Sequence, residues 1–167
     1  MIFMGIDPGY AITGYGIVDY TRNKFKVLDY GVISTKAGTP FELRMLAIFD
    51  GLTRSIEQYQ PAAVAIEELF FSRNTTTAIG TAQARGVAVL CGAKAGLPVY
   101  EYTPRQVKLA VAGYGLAEKN QVQQMVRIIL GLAEIPKPDD AADALAIAIC
   151  HAHSGSDPKS LVVGGYQ

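Results

Sequence analysis

The stretch IFMGIDPG, residues 2–9, decides the fold class of this chain. An apolar run leads directly into Asp7, and Pro8-Gly9 follows as a turn signal. A second apolar run ends in the same way, because Val64-Ala65-Ile66 leads into Glu67. If the two strands are parallel neighbours, both acids project from one edge of a sheet, which is where α/β proteins usually place ligand sites. By itself, Asp7 before Pro8-Gly9 would be only a turn residue.

Outward from these two runs, hydrophobic periodicity predicts an antiparallel meander, a crossover helix, two further strands and a set of helices. Strands are predicted over 2–7, 13–20, 24–35, 62–67 and 98–102, and helices over 40–59, 75–95, 106–112, 118–130 and 139–153. This order predicts an α/β fold with a mixed five-stranded sheet flanked by helices. We expect one domain over residues 1–154 and a flexible, glycine-rich C-terminal tail over 155–167.

The bulk composition fits one globular domain, since the chain has 167 residues of which 50% are hydrophobic and 18% charged. The longest apolar runs are far shorter than the roughly 20 residues of a membrane-spanning helix, and no basic leader precedes the first strand. We therefore expect a cytoplasmic protein without a membrane partner. Cys91 and Cys150 lie apart in apolar surroundings, which indicates reduced core thiols.

The charges cancel overall, with 15 basic and 15 acidic residues, but they are unevenly distributed. Between Arg73 and Arg127 seven basic residues face two acidic ones, Glu101 and Glu118. Such a surplus is compatible with a basic face for phosphates around an acidic centre. Ordinary solvated charge would produce the same pattern.

The last predicted helix adds two more acids to the candidate site. Asp140 and Asp143 are three residues apart, so they share one helical face, and the alanines around them keep the helix thin. Taken singly, Asp139 or Asp140 would be a helix cap. Converging carboxylates without Cys or His favour a hard cation such as Mg²⁺. Two such ions would serve an in-line phosphodiester displacement.

The motifs at these positions resemble those of the RuvC family of Holliday-junction resolvases. The matching segments, in the order of the family, are Gly5-Ile6-Asp7-Pro8-Gly9, Thr13-Gly14-Tyr15-Gly16, Ala65-Ile66-Glu67, Gln83-Ala84-Arg85-Gly86-Val87, Glu118-Lys119-Asn120-Gln121-Val122-Gln123 and Asp140-Ala141-Ala142-Asp143-Ala144-Leu145-Ala146. The resemblance implies a ribonuclease-H-like fold, a homodimer, and paired nicking of four-way DNA junctions that leaves 5′-phosphate and 3′-hydroxyl ends. It also implies Mg²⁺, two ions per active site with Mn²⁺ able to substitute, and the RuvA–RuvB branch-migration complex as a partner.

The resemblance further implies the roles of particular residues. The catalytic and metal-binding acids are Asp7, Glu67, Asp140 and Asp143, a choice that selects Asp140 over Asp139. Phe70 takes the place of an aromatic wedge, for which the adjacent Phe71 competes. Lys108 and Lys119 match lysines near the scissile phosphate, and weaker DNA-binding candidates are Arg73, Asn74 and Arg85.

Three further expectations concern residues around this set. Glu68 should point away from Glu67 if the strand continues through it. His151 and His153 lie too far along the helix from Asp143 to bind the metal, and we expect them to interact with the helix end. The small residues Gly80, Ala84, Ala88 and Gly92 recur every four positions and leave one helix face nearly bare, so we expect this helix at or near the dimer contact.

Three alternative functions compete with a junction resolvase. An actin-like ATPase fragment also begins with a strand, an Asp and a glycine turn, but it needs a duplicated domain and a second phosphate loop. A non-catalytic junction-binding module would be expected to lack one or more of the four acids. A ribonuclease-H-like nuclease without junction specificity has the same acids, so only the intervening segments argue against it.

Overall fold

A mixed β-sheet with helices on both faces organises the chain in the computed structural model, which describes residues 1–69, 75–154 and 161–162. The strands are β1 (Ile2–Asp7), β2 (Ile12–Thr21), β3 (Lys24–Ser34), β4 (Ala63–Glu67), β5 (Val99–Tyr102) and β6 (Leu161–Val162). Their order across the sheet is β3-β2-β1-β4-β5-β6. The first three form an antiparallel meander, β4 and β5 run parallel to β1, and β6 is antiparallel to β5.

Within the described residues, five helices cover the two faces of this sheet: α1 (Phe41–Tyr59), α2 (Thr75–Lys94), α3 (Pro104–Ala112), α4 (Lys119–Ile129) and α5 (Asp139–Ser154). One core lies between the sheet and α3, α4 and α5, and the other lies between the sheet and α1 and α2. Strand β4 serves both cores because Ala63 and Ala65 face one and Val64 and Ile66 the other. Of the helices that the structure describes, none combines the length and the apolar character needed to cross a membrane.

The predicted mixed α/β sheet is confirmed, with element bounds close to those expected. The sixth strand lies within the segment expected to be a tail, where Leu161–Val162 pair with Tyr100 and Glu101 of β5. Arg22 and Asn23 form the turn between β2 and β3 with φ of 53° and 59°. Positive φ at both central residues is what a two-residue type I′ hairpin turn requires.

The small-residue face of α2 packs inside the chain, and the expected position of this helix at or near a dimer contact stays a prediction. Ala84 and Ala88 are completely buried in the chain's own core. A Cβ added at Gly92 would lie 2.6 Å from Val99 Cγ2. The small residues therefore let α2 lie close to the sheet of its own chain, and a dimer contact on α2 would have to use its outer side.

The expectation for His151 is wrong. This side chain is 4% exposed and packs between aromatic rings, with ring-centroid distances of 4.8 Å to Phe3 and 4.6 Å to Tyr100. Its Nδ1 shares a hydrogen bond of 2.7 Å with the Tyr102 hydroxyl. Burial lowers the pKa of His151 to about 4. His151 is therefore a neutral member of the core.

Cys91 and Cys150 are buried free thiols, as predicted.

Candidate active site

Strands β1 and β4 bring the first two acids to one edge of the sheet. The strands are parallel neighbours, and their paired residues Ile6 and Ile66 directly precede Asp7 and Glu67. Both carboxylates therefore leave the sheet at the same level, as the two apolar runs predicted. Thr13 then fixes the turn after Asp7, because its Oγ1 donates a hydrogen bond of 2.7 Å to the Gly9 carbonyl.

Glycines on β1 and β2 bring the helix acids to the same edge. A Cβ at Gly5 would lie only 2.1 Å from the Ala144 carbonyl oxygen, and one at Gly14 only 2.1 Å from the Asp140 carbonyl oxygen. The backbone of α5 therefore touches the backbone of the sheet. Since Gly14 is paired with Asp7 across β1 and β2, this contact puts the first turn of α5 beside the end of β1.

Negative charge accumulates at this edge. Burial, followed by the charges of Glu67, Asp143 and Asp140, raises the pKa of Asp7 to about 7. Burial and then the charge of Asp143 also raise the pKa of Glu67, whereas Lys119 and Lys108 act to lower it. Perturbed carboxyl pKa values of this kind are typical of functional sites.

Lys119 is the basic residue that contacts the acids directly. Its Nζ lies 3.0 Å from Asp143 Oδ2 and 3.5 Å from Asp139 Oδ2. Lys137 Nζ in turn lies 3.1 Å from Asp139 Oδ1, so Asp139 joins two lysines. The hydrogen bond from Lys137 lowers the pKa of the exposed Asp139 carboxyl, whereas burial raises that of Asp143. Asp139 therefore contacts two lysines at the periphery, whereas the partly buried Asp143 also belongs to the acidic group of Asp7 and Glu67.

Connected cavities make the edge accessible. A cavity of about 240 Å³ is lined in part by Glu67, Lys108, Lys119 and Asp143. A second of about 190 Å³ is lined in part by Asp7, Glu67, Glu68 and Thr81. A third of about 630 Å³ extends from Thr81 past Tyr10 to Asp140. Neighbouring cavities share lining residues, Glu67 between the first two and Thr81 between the second and third, so together they border the four acids; we call this region the groove.

Glu68 differs from its expectation because the strand does not continue through it. Strand β4 ends at Glu67, and the Glu68 amide donates a hydrogen bond of 2.8 Å to the Tyr102 carbonyl oxygen. Glu68 consequently lines the same cavity as Asp7 and Glu67. It becomes a fifth acid at the edge of the site.

The predicted DNA-binding residues divide into three groups. Lys108 and Lys119 border the groove beside Glu67. Arg85 instead forms a mostly buried ion pair with Glu101 on β5, which ties α2 to the sheet. Phe70, its competitor Phe71, and also Arg73 and Asn74 lie outside the described residues.

Two features of the site were missed from the sequence. The glycines opposite α5 include Gly5 and Gly16, which are direct partners across β1 and β2. Glycines are unusual in strand interiors and mark close approach of another backbone, so that signal was available. Asp139 was considered only as a cap, and its contacts with Lys119 and Lys137 carry no local sequence signal.

The donor set fits a hard divalent cation by its chemistry. Among the residues that the structure describes, no group of three or more His, Cys, Asp and Glu side chains is already arranged to hold a metal ion. Mg²⁺ does not require such a group, because it commonly takes one or two carboxylates and completes its shell with water and substrate phosphate. The excess negative charge around Asp7 is what such a cation would neutralise.

A sheet in this order, with acids at the ends of β1 and β4 and on α5, defines a nuclease of the ribonuclease-H-like class. Residues 3–151 match the model of the family described as crossover junction endodeoxyribonuclease RuvC. This chain belongs to the RuvC family.

Individual relatives agree with this assignment. Crossover junction endodeoxyribonuclease RuvC of Alkaliphilus metalliredigens is 61% identical over 155 residues, covering 93% of this chain and 94% of the relative. The protein of the same name from Desulfitobacterium hafniense is 60% identical over 154 residues, covering 92% and 93%. The T. thermophilus RuvC in complex with Holliday junction substrate superposes with a TM-score of 0.86 at 42% identity, covering 91% of this chain and 93% of that one.

Proposed function

We propose that this protein is a metal-dependent endonuclease that resolves four-way DNA junctions during recombination and repair. The observation that carries the proposal is the meeting of Asp7, Glu67, Asp140 and Asp143 at one sheet edge in a chain of the RuvC family. The relative solved with Holliday junction substrate supports the choice of DNA.

The reaction is phosphodiester hydrolysis with an attacking water and a departing 3′ oxygen. Asp7, Glu67, Asp140 and Asp143 would hold Mg²⁺, or Mn²⁺ in its place. When bound, two such ions lower the pKa of the attacking water and stabilise the leaving oxygen. The products carry a 5′ phosphate and a 3′ hydroxyl.

The lysines at the groove support the binding of the substrate phosphate. Lys119 is about half exposed and its ammonium already lies against Asp143, so a phosphate arriving at the acids would meet a fixed positive charge. Lys108 lines the same cavity on the side of Glu67. We assign phosphate contacts to both.

Phe70 as the junction wedge, with Arg73 and Asn74 as DNA contacts, remains a proposal from family resemblance. The pairing of Arg85 with Glu101 gives no support for a DNA contact at Arg85.

We also propose a homodimer, since two sites related by a two-fold axis match the symmetry of a four-way junction. The outer sides of α1 and α2 expose several large apolar side chains: Leu43, Leu46, Ile79 and Leu90, at 50%, 51%, 62% and 56%. Leu90→Lys should therefore yield a monomer in sedimentation experiments, whereas Leu109→Lys, at an exposed leucine on α3, should not. A monomeric control variant or a dimeric Leu90→Lys would refute this surface. We propose action in the cytoplasm together with RuvA–RuvB on the basis of family resemblance alone.

Cutting assays with matched substrates test the proposed activity. The protein should nick a synthetic four-way junction in the presence of Mg²⁺ and leave the linear duplex of the same sequence intact. Asp7→Asn and Glu67→Gln should remove the activity, and so should a chelator. Glu57→Gln, the same change at an exposed position of α1, is the control and should cut normally.

Each alternative function gives a different result in these assays. Equal cutting of junction and duplex would indicate a nuclease without junction specificity. Tight junction binding with no cutting at any metal concentration would indicate a binding module. Activity that survives Asp7→Asn or the chelator would exclude the metal mechanism.

A further inference from the structure

Arg44 on α1 is a buried cation without a carboxylate partner. The residue is 8% exposed, and in the part of the chain that the structure describes no Asp or Glu oxygen lies within ion-pair distance of it. Its guanidinium instead donates to the Thr35 hydroxyl at 2.8 Å, the Tyr10 carbonyl at 3.2 Å and the Thr35 carbonyl at 3.4 Å. It also lies 3.6 Å from the centroid of the Tyr10 ring.

Burying a guanidinium is unfavourable unless its donors find acceptors, and all the acceptors here belong to two chain segments. One segment is the loop that follows Asp7, and the other is the residue after β3. Thr35 joins the same contact, because its hydroxyl donates to the Tyr10 carbonyl at 2.7 Å and its amide to the Ala11 carbonyl at 2.9 Å. Arg44 therefore fixes the backbone of this loop from the side of α1.

The loop connects Arg44 to the acidic site in two places. Tyr10 is three residues beyond Asp7, and Thr13 holds the intervening Gly9 carbonyl. Tyr10 also lines the cavity that contains Asp140. A Cβ at Gly80 would be 3.0 Å from Tyr10 Cγ, so the ring is confined by α2 as well.

We propose that Arg44 is a positioning residue for metal binding and cleavage: it acts through Tyr10 to hold the loop that orients Asp7. The inference rests on the proposed function of the acidic site, and it concerns a residue that does not itself contact the reacting groups. A displacement of about 1 Å in a catalytic group can reduce a rate by roughly 100-fold, so a loosened loop would affect the chemical step more than DNA binding.

Arg44→Met tests the proposal because methionine fills similar space without any donor. We expect kcat for junction cutting to fall by roughly tenfold or more with KM within about twofold of wild type. Metal binding is measured without DNA, by electron paramagnetic resonance of the free Mn²⁺. The variant should bind Mn²⁺ several-fold more weakly than the wild type. Arg44→Lys should recover only part of both, since an ammonium cannot reproduce the planar fork of donors.

Lys26→Met is the matched control, because Lys26 is an exposed cation on β3, outside the surface of α1 and α2 that we propose for the dimer. It should leave kcat, KM and Mn²⁺ binding unchanged. If Arg44→Met does not fold, Thr35→Val provides the same readouts, since it removes the hydroxyl shared by Arg44 and the Tyr10 carbonyl. Thr35→Ser, which keeps that hydroxyl, should then behave like wild type.

Two results would overturn the proposal. One is a lower unfolding midpoint with normal kcat and Mn²⁺ binding in the folded variant, which would give Arg44 a purely structural role. The other is a raised KM with unchanged kcat, which would place Arg44 in DNA binding. If the wild-type protein itself cuts no junction, the proposed function fails, while the Mn²⁺ comparison still decides whether Arg44 positions the acids.

Discussion

Substituting Gly5 with alanine tests whether close contact between α5 and the sheet places the helix acids. The added Cβ would lie 2.1 Å from the Ala144 carbonyl oxygen and 2.6 Å from the Ala148 amide nitrogen. Ordinary contact begins at 3.4 Å, so α5 must move away from β1 by about 1.3 Å. Both obstructing atoms belong to a helix backbone, so no side-chain rotation can relieve the contact.

This shift has two consequences that can be measured separately. Overpacking of this kind costs roughly 1–3 kcal/mol of unfolding free energy, which urea denaturation would detect. Because Asp140 and Asp143 move with α5, the rate of junction cutting should fall by roughly 100-fold in conditions where the variant is fully folded. The metal concentration for half-maximal cutting should rise as well.

Gly31→Ala is the matched control on β3, which lies on the other side of β2 from β1. The nearest neighbours of a Cβ there are atoms of the Tyr15 side chain, at 3.1 and 3.3 Å, and a side chain can move aside. We expect a stability change below about 1 kcal/mol and normal cutting. If folded Gly5→Ala protein cuts within about threefold of the wild-type rate, the close approach of α5 does not position the acids, and this reasoning is refuted.

Other substitutions separate the charged residues of the site and core. Asp140→Asn should abolish cutting. Asp139→Asn should reduce the cutting rate by no more than about threefold, because an exposed ion pair with Lys119 contributes little. If Asp139→Asn abolishes cutting and Asp140→Asn does not, the roles proposed for these two acids are exchanged. Burial and neighbouring acids raise the pKa of Asp7 from 3.8 to about 7, so between those values the folded metal-free chain keeps a proton that the unfolded chain releases. The contribution of Asp7 to stability should fall as pH rises through this window. In urea titrations with chelator, Asp7→Asn should therefore lose less stability with rising pH than the wild type, while Glu67 and Asp143 keep their own raised pKa values. Burial lowers the pKa of His151 from 6.5 to about 4, so the contribution of His151 has the opposite sign: it falls as pH drops from 6.5 to 4 and offsets part of the Asp7 effect. His151→Phe should remove this acid-side loss, and an unchanged slope would show that another group titrates.

Much of the fold could be predicted because local patterns and tertiary structure agree along this chain. The apolar runs ending in Asp7 and Glu67 predicted two strands, and the structure pairs them in parallel so that both acids meet at one edge. The three-residue spacing of Asp140 and Asp143 predicted one helical face. Each of these inferences needs only the geometry of a strand or a helix.

Two inferences were harder to make from the sequence, because each depended on what lies opposite a residue in space. A row of small residues on α2 shows that something approaches closely, but the sequence does not say whether the approaching surface is a second chain or the chain's own sheet. Here Val99 and the neighbouring core residues occupy that face. In the same way, His151 has the position of a helix-end residue, but Tyr100, Tyr102 and Phe3 enclose it. Periodicity identifies a face and leaves its partner undetermined.

The charge balance of the site links folding to the proposed reaction. The backbone contact at Gly5 and Gly14 brings α5 close to two strand ends that already carry acids, so folding itself concentrates the negative charge that raises the pKa of Asp7. Among the described residues, the acids that Lys119 contacts are Asp143 and the peripheral Asp139, which leaves most of the repulsion around Asp7 in place. A bound cation relieves it, and any ligand that binds only the folded state stabilises that state. Metal binding and stability should therefore be coupled through the same four carboxylates that we propose for the cutting.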